Sequence, residues 1–188
     1  MTYNFMIAGV GGQGTVLASK LIAAAAMKKG FDVRTTETIG MAQRGGCVFG
    51  HCRIGENIHS PFIPVGKADV ILAFEPAEAV RQLHYLKKDG TVIVCDTAVK
   101  PITDTGYYEA KTMLEYLKSK PLKLIAIDGQ KILQENAKTL NVALLGAAVK
   151  SGIFPFDHET LKEVLQEMLP KRFVEMNQKS LELGRTLV

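Results

Sequence analysis

The sequence predicts a three-layer α/β protein: a mostly parallel sheet with helices on both faces, an inserted hairpin and a helical C-terminal tail. Three observations lead there. Phe5-Met6-Ile7 runs into the closely spaced glycines of Ala8-Gly9-Val10-Gly11-Gly12-Gln13-Gly14-Thr15, and an apolar segment from Val16 to Ala23 follows, which reads as strand, tight loop and helix. The stretches Ala68 to Phe74 and Thr91 to Asp96 are short apolar runs with little polar alternation, as buried parallel strands require. Beyond Asp128 the chain reads as helical.

Taken in order, the first helix closes near Lys28-Lys29-Gly30, and Phe31 to Thr36 forms a second strand. One helix between two strands predicts a βαβ unit with a right-handed parallel crossover. The segment from Glu37 to Gly46 has no clear period and reads as a loop. Cys47 to Ile54 reads as a strand, with Gly55-Glu56-Asn57 turning a hairpin into Ile58-His59-Ser60-Pro61. Pro76 opens a helix at a position that tolerates proline, with Ala79, Val80, Leu83 and Leu86 on its inner face. A helix from Tyr107 to Lys118 and a last parallel strand from Leu122 to Asp128 complete the alternation. Asp157 caps a helix whose Leu161, Val164, Leu165, Met168 and Leu169 share one face. A final helix from Pro170 towards Leu183 places Phe173, Asn177 and Leu181 on one stripe. Asn177 is therefore expected to be at least partly buried and hydrogen-bonded, and Asn141 to cap the helix that follows it.

Residues 1–188 read as a single domain, 47% hydrophobic and 22% charged, without repeats or low-complexity segments. The net charge of +4 comes from lysines scattered near helix ends, such as Lys87-Lys88 and Lys171-Arg172, which argues against nucleic acid as a partner. No apolar run reaches bilayer-spanning length and the N-terminus lacks a signal-peptide pattern, so a cytoplasmic protein without a membrane partner is expected. Cys47, Cys52 and Cys95 form no C-x-x-C pair, and His51, His59, His84 and His158 are dispersed. That leaves no recognisable ligand set for zinc or an iron–sulfur cluster. Cys95, inside an apolar strand, reads as a small hydrophobe.

The chemistry-bearing residues sit in two glycine loops. In the first, Gly9, Gly11 and Gly14 satisfy G-x-G-x-x-G, and the following helix offers its amides and positive dipole end to a phosphate or carboxylate. Glu37, at the end of the second strand, stands where a ribose-binding acid would be sought. The second loop, Glu37-Thr38-Ile39-Gly40-Met41-Ala42-Gln43-Arg44-Gly45-Gly46, carries one arginine directly before a Gly-Gly pair. Arg44 can pair bidentately with an anion, and Gly45 and Gly46 let the backbone come close to it. Both loops are expected at the carboxyl ends of the parallel strands, where α/β sheets hold ligands. No G-x-S-x-G, Walker A or cluster motif accompanies them, so no catalytic residue is assigned and the chain reads as part of a site.

The pairing of Gly9-Val10-Gly11-Gly12-Gln13-Gly14 with the Glu37–Gly46 loop resembles the gamma-type domain of 2-oxoacid:ferredoxin oxidoreductases over nearly the whole chain. Ala73-Phe74-Glu75-Pro76, Asn141 with Leu145-Gly146-Ala147, and Asn177 match as well. Within that family the G-M-A-Q-R-G-G form of the second loop is similar to the indolepyruvate branch. The resemblance implies a Rossmann-like fold and a subunit role in converting a 2-oxoacid, an aryl pyruvate in this branch, to an acyl-CoA with electrons passed to ferredoxin. It also implies a large partner subunit carrying thiamine diphosphate, Mg2+ and iron–sulfur clusters, with coenzyme A as co-substrate. Gly9, Gly11, Gly12, Gln13, Gly14, Thr15, Glu37, Gln43, Arg44, Gly45 and Gly46 are then candidates for a coenzyme A phosphate or for subunit contact. Two other readings stay open: a stand-alone NAD-binding module, and a purely structural or regulatory subunit. Homodimerisation is open in all three.

Overall fold

A computed structural model describes residues 1–38, 46–98 and 109–188. Six strands form one sheet: β1 (Tyr3–Val10), β2 (Asp32–Glu37), β3 (Cys47–Gly55), β4 (Ala68–Ala73), β5 (Leu86–Cys95) and β6 (Lys123–Ile127), in the order β2-β3-β1-β4-β5-β6. The helices are α1 (Thr15–Lys28), α2 (Pro76–Gln82), α3 (Ala110–Lys118), α4 (Gly129–Asn136), α5 (Leu140–Lys150), α6 (His158–Met168) and α7 (Lys171–Thr186). The strands are parallel except β3, which runs antiparallel to both β1 and β2. The fold is thus the expected three-layer, mostly parallel α/β sheet with a helical C-terminal tail.

Side chains alternate across the sheet as strand geometry demands. Phe5, Ile7, Leu72, Ile93 and Ile127 pack under α1, α5 and α6 on one face, whereas Met6, Ile71, Val92 and Val94 meet Ala79 of α2 and Leu117 of α3 on the other. Among the described residues no helix is long and apolar enough to cross a membrane.

Several sequence expectations are corrected. The strands flanking α1 are parallel but not adjacent, because β3 is inserted between β1 and β2. The hairpin is formed by β2 and β3, not by residues 55–61. Segment 58–63 forms no strand, and its backbone instead meets side chains of β3: Arg53 donates to the Ser60 carbonyl at 3.0 Å, and Ile63 N–H to His51 Nδ1 at 3.2 Å. Leu86 is the first residue of β5 rather than part of α2, and that strand starts five residues before the expected Thr91. Met168 and Phe173 are 42% and 39% exposed rather than buried with the rest of their stripes. Asn141 lies inside the first turn of α5, whose N-cap is Thr139. Of the expected helix from Tyr107, residues 107 and 108 lie outside the described residues.

Asp157 caps α6 as expected, accepting from the backbone N–H of Thr160 at 2.9 Å and from its hydroxyl at 2.6 Å, and these bonds hold its carboxyl down at about 2. Asn177 is buried and donates to the Phe173 carbonyl at 2.8 Å. Beside it, α5 and α7 cross with almost no space between their backbones. A Cβ on Gly184 would collide with the Ala143 carbonyl, and one on Gly146 with the Leu181 carbonyl.

Candidate functional site

The glycine loop leaves β1 at Val10 and is tied shut on itself. Gln13 folds back so that its Oε1 accepts the Val10 N–H at 2.8 Å, while its own N–H donates to the Val10 carbonyl at 3.2 Å. Gly12 and Gly14 hold φ of +99° and +81°, a left-handed region that favours glycine. Gly9 has a different reason to lack a side chain: an added Cβ would lie 2.7 Å from Gln13 Oε1 and 2.8 Å from Thr15 Cγ2.

Two further elements close on this loop. The Gly11 N–H donates to the Gly46 carbonyl at 2.9 Å, so the end of the second loop is bonded to the first. Asn141, buried at the start of α5, donates through Nδ2 to the Gly14 carbonyl at 3.3 Å and accepts the Val142 N–H at 2.9 Å through Oδ1. The asparagine expected to cap a helix is thus a clamp on the glycine loop. Above this arrangement α1 starts with no side-chain cap and no acidic residue in its first turn, which leaves its positive end available to an outside acceptor.

Of the eleven sequence candidates, Gly9, Gly11, Gly12, Gln13, Gly14, Thr15 and Gly46 are brought together here, whereas Gln43, Arg44 and Gly45 lie outside the described residues. Glu37 is not part of the cluster. Because β3 separates β2 from β1, the acid stands two strand spacings, about 9–10 Å, from the strand that feeds the loop. A dinucleotide reading needs that acid on the neighbouring strand.

Two buried acids stand at the same edge: Glu75, which the sequence showed only within the matching Ala73-Phe74-Glu75-Pro76 motif, and Glu78, which it did not single out. Glu75 and Glu78 are fully buried at the junction of β4 and α2. Glu78 pairs with Arg81, and it lies by Cys47, which follows Gly46 and takes a contact from Gln82 Nε2 at 4.0 Å. Burial, reinforced by the Glu78 carboxylate, pushes the Cys47 thiol up to about 11. Cys52 and Cys95 are driven by burial to about 12 and about 11. None is a thiolate at neutral pH, and they are spread over β3 and β5. As a donor set they do not fit an iron–sulfur cluster. The signal for the acids was in Phe74-Glu75-Pro76, a carboxylate set between an apolar strand and a helix-opening proline.

His51 is buried on β3, with Phe62 and Tyr85 edge-on to its ring at 5.7 and 5.2 Å between centroids. Burial lowers its pKa below the ordinary value, and its Nδ1 accepts a backbone N–H, so it is held neutral. The unfolded chain therefore takes up this proton first. The His51 contribution to stability is fully present above about pH 6.5 and is lost as the pH falls towards the depressed folded value. In chemical denaturation followed across pH, His51→Gln is expected to flatten the slope just below pH 6.5; an unchanged slope would assign it to other groups.

Comparison with known proteins gives a consistent picture. The family model described as pyruvate ferredoxin/flavodoxin oxidoreductase matches residues 4–187. The chain is 39% identical over 189 residues to indolepyruvate oxidoreductase subunit IorB of Thermococcus kodakarensis, covering 97% of this chain and 94% of that protein. Pyruvate oxidoreductase subunit PORC of Thermotoga maritima superposes with a TM-score of 0.73 at 25% identity, covering 99% of this chain and 96% of that one. A 2-oxoglutarate:ferredoxin oxidoreductase of Magnetococcus marinus shares the fold with a TM-score of 0.76 at 20% identity, over 99% of this chain and 31% of that longer one.

Proposed function

Because the chain belongs to the pyruvate ferredoxin/flavodoxin oxidoreductase family, we propose that it is the thiamine-free small subunit of a 2-oxoacid:ferredoxin oxidoreductase acting on an aryl pyruvate such as indolepyruvate. The assembled enzyme oxidatively decarboxylates the oxoacid, releases an acyl-CoA and passes electrons to ferredoxin. Thiamine diphosphate with Mg2+ and the iron–sulfur clusters belong to a large partner subunit, where the first supplies the electron sink for decarboxylation and the clusters the electron path. The dispersed, high-pKa cysteines of this chain support that division.

The observation that carries the reading is the Gly11–Gly46 hydrogen bond, which joins the two glycine loops beneath the uncapped start of α1. This chain then contributes binding rather than bond-making groups. The amides at the start of α1 face a phosphate of coenzyme A, the glycines admit it closely, and Arg44 adds a bidentate cationic contact.

Co-expression with the large subunit tests this. Arg44→Ala is expected to raise the KM for coenzyme A or the oxoacid about tenfold or more in viologen reduction, with assembly intact; this is the loss typical of one charge-assisted contact. Unchanged kinetics in an intact complex would reduce the loops to subunit contacts. Recovery of the chain alone with bound NADH would replace the reading with a dinucleotide-binding one.

A further inference from the structure

A cavity of about 300 Å3 opens on the sheet face opposite α1, at the outer end of β2 and β3. Thr36, Thr38, Phe49, His51, Phe62 and Tyr85 line it, together with Glu37. Strand register decides what each contributes. Thr36 is paired with His51, so their side chains share this face with Phe49, whereas Glu37 is paired with Gly50 and turns its side chain to the α1 face. There its Cγ fills the space that a Gly50 side chain would occupy, 3.2 Å from an ideal Cβ, and its charge reaches Cys52. The carboxylate is thus withdrawn from the cavity, to which Glu37 lends backbone.

What remains is a wall of rings with a few uncharged polar groups. Phe49, Phe62 and Tyr85 stand edge-to-face around His51 at centroid distances of 6.0, 5.7 and 5.2 Å. Since His51 Nδ1 accepts the Ile63 N–H, the ring proton sits on Nε2 as a donor. The Thr36 and Thr38 hydroxyls add groups that donate or accept. Phe62 at the mouth is 63% exposed, a large aromatic ring left in water at the rim of an aromatic cavity. Among the described residues that line the cavity, Glu37 turns its carboxylate away and no side chain is cationic, so the lining offers a partner to neither a cation nor an anion. A purely aliphatic group would leave the hydroxyls and the imidazole N–H unused. A flat, neutral ring with both N–H and ring nitrogen or π surface uses all of them, and the volume is at the small end of ligand pockets.

We infer that this cavity is a subsite for a planar nitrogen heteroaromatic ring. The inference rests on the proposed function, which brings two such rings to the complex: the indole of an aryl pyruvate and the adenine of coenzyme A. Its position supports that use, since Thr38, whose N–H donates to the Phe49 carbonyl at 2.9 Å, leads directly into the second glycine loop.

The full-length chain and its complex with the large subunit are titrated with indole-3-acetate and, separately, adenosine 3′,5′-bisphosphate. The chain contains no tryptophan, so indole fluorescence reports the first probe without protein background; calorimetry reports the second. At least one probe is expected to bind, with affinity reduced tenfold or more by Phe62→Ala and several-fold by the near-isosteric Thr36→Val. Phe62 is exposed and Thr36 lies on an edge strand, so both variants keep the fold, verified by unchanged thermal unfolding. Binding of the indole alone or the adenosine alone identifies which ring is taken. The inference is overturned if neither probe binds chain or complex, if both substitutions leave binding unchanged, or if tetramethylammonium displaces the probe. Oxoacid-dependent viologen reduction by the wild-type complex is measured alongside. Turnover without a Phe62-sensitive probe site rejects the subsite and retains the function, whereas absence of turnover rejects the function itself.

Discussion

Gly184→Ala is expected to destabilise the chain by about 3 kcal/mol or more, at the upper end of overpacking substitutions. The added methyl group would be driven into the Ala143 carbonyl, an atom of the α5 backbone that cannot swing aside as a side chain would. Relief requires α7 to move away from α5, which opens the Gly146–Leu181 contact of the same crossing and strips packing from Leu181 and from the buried Thr139–Ser180 hydrogen bond. Gly30→Ala is the control. Gly30 holds a left-handed φ of +85° with no atom within 4 Å of its would-be Cβ, so it carries only the backbone term of about 1–2 kcal/mol. Urea denaturation of the two variants separates the effects. Equal midpoints would mean that the helices are not in backbone contact.

Gly14→Ala is expected to have the largest effect on activity. Its Cβ would meet a left-handed φ of +81° and, 2.5 Å away, the Asn141 carboxamide, so the clamp is expelled as the loop is strained. In the complex with the large subunit the KM for coenzyme A should rise more than tenfold while subunit recovery changes little. Asn141→Ala removes the bond to the Gly14 carbonyl without straining φ, and should reproduce part of the kinetic loss. A folded Gly14→Ala complex with wild-type coenzyme A kinetics would detach this loop from the coenzyme.

The features legible in the sequence are those set by near neighbours. The glycine spacing after Ile7 fixes a strand-to-helix turn, Asp157 is placed to bond Thr160, and the apolar run around Ile71 can lie only inside a sheet. Strand order is a different kind of property. Nothing within residues 47–55 says that β3 inserts between β1 and β2, because that choice is made by pairing partners 37 to 51 positions apart along β1, such as Phe5 with Cys52. The expected hairpin failed for a related reason. Asn57 does adopt a left-handed turn conformation, but the chain beyond it satisfies its backbone on the His51 and Arg53 side chains rather than on a ladder. At the site, the glycines of the first loop were readable one by one. The roles of Asn141 and the buried Glu78 were not, since each depends on an element remote in sequence that packs against it.

The Asn141 clamp has a consequence for how the protein is made. The glycine loop precedes by 127 positions the asparagine that secures it, and α5, which carries that asparagine, is seated by α7, made later still. A nascent chain can lay down β1 and α1 before α5 exists, but its glycine turn stays unsecured until α5 and α7 have been released and docked. Synthesis thus delivers the site in reverse, and a chain cut short of α7 would present the glycines without the hold that gives them their shape.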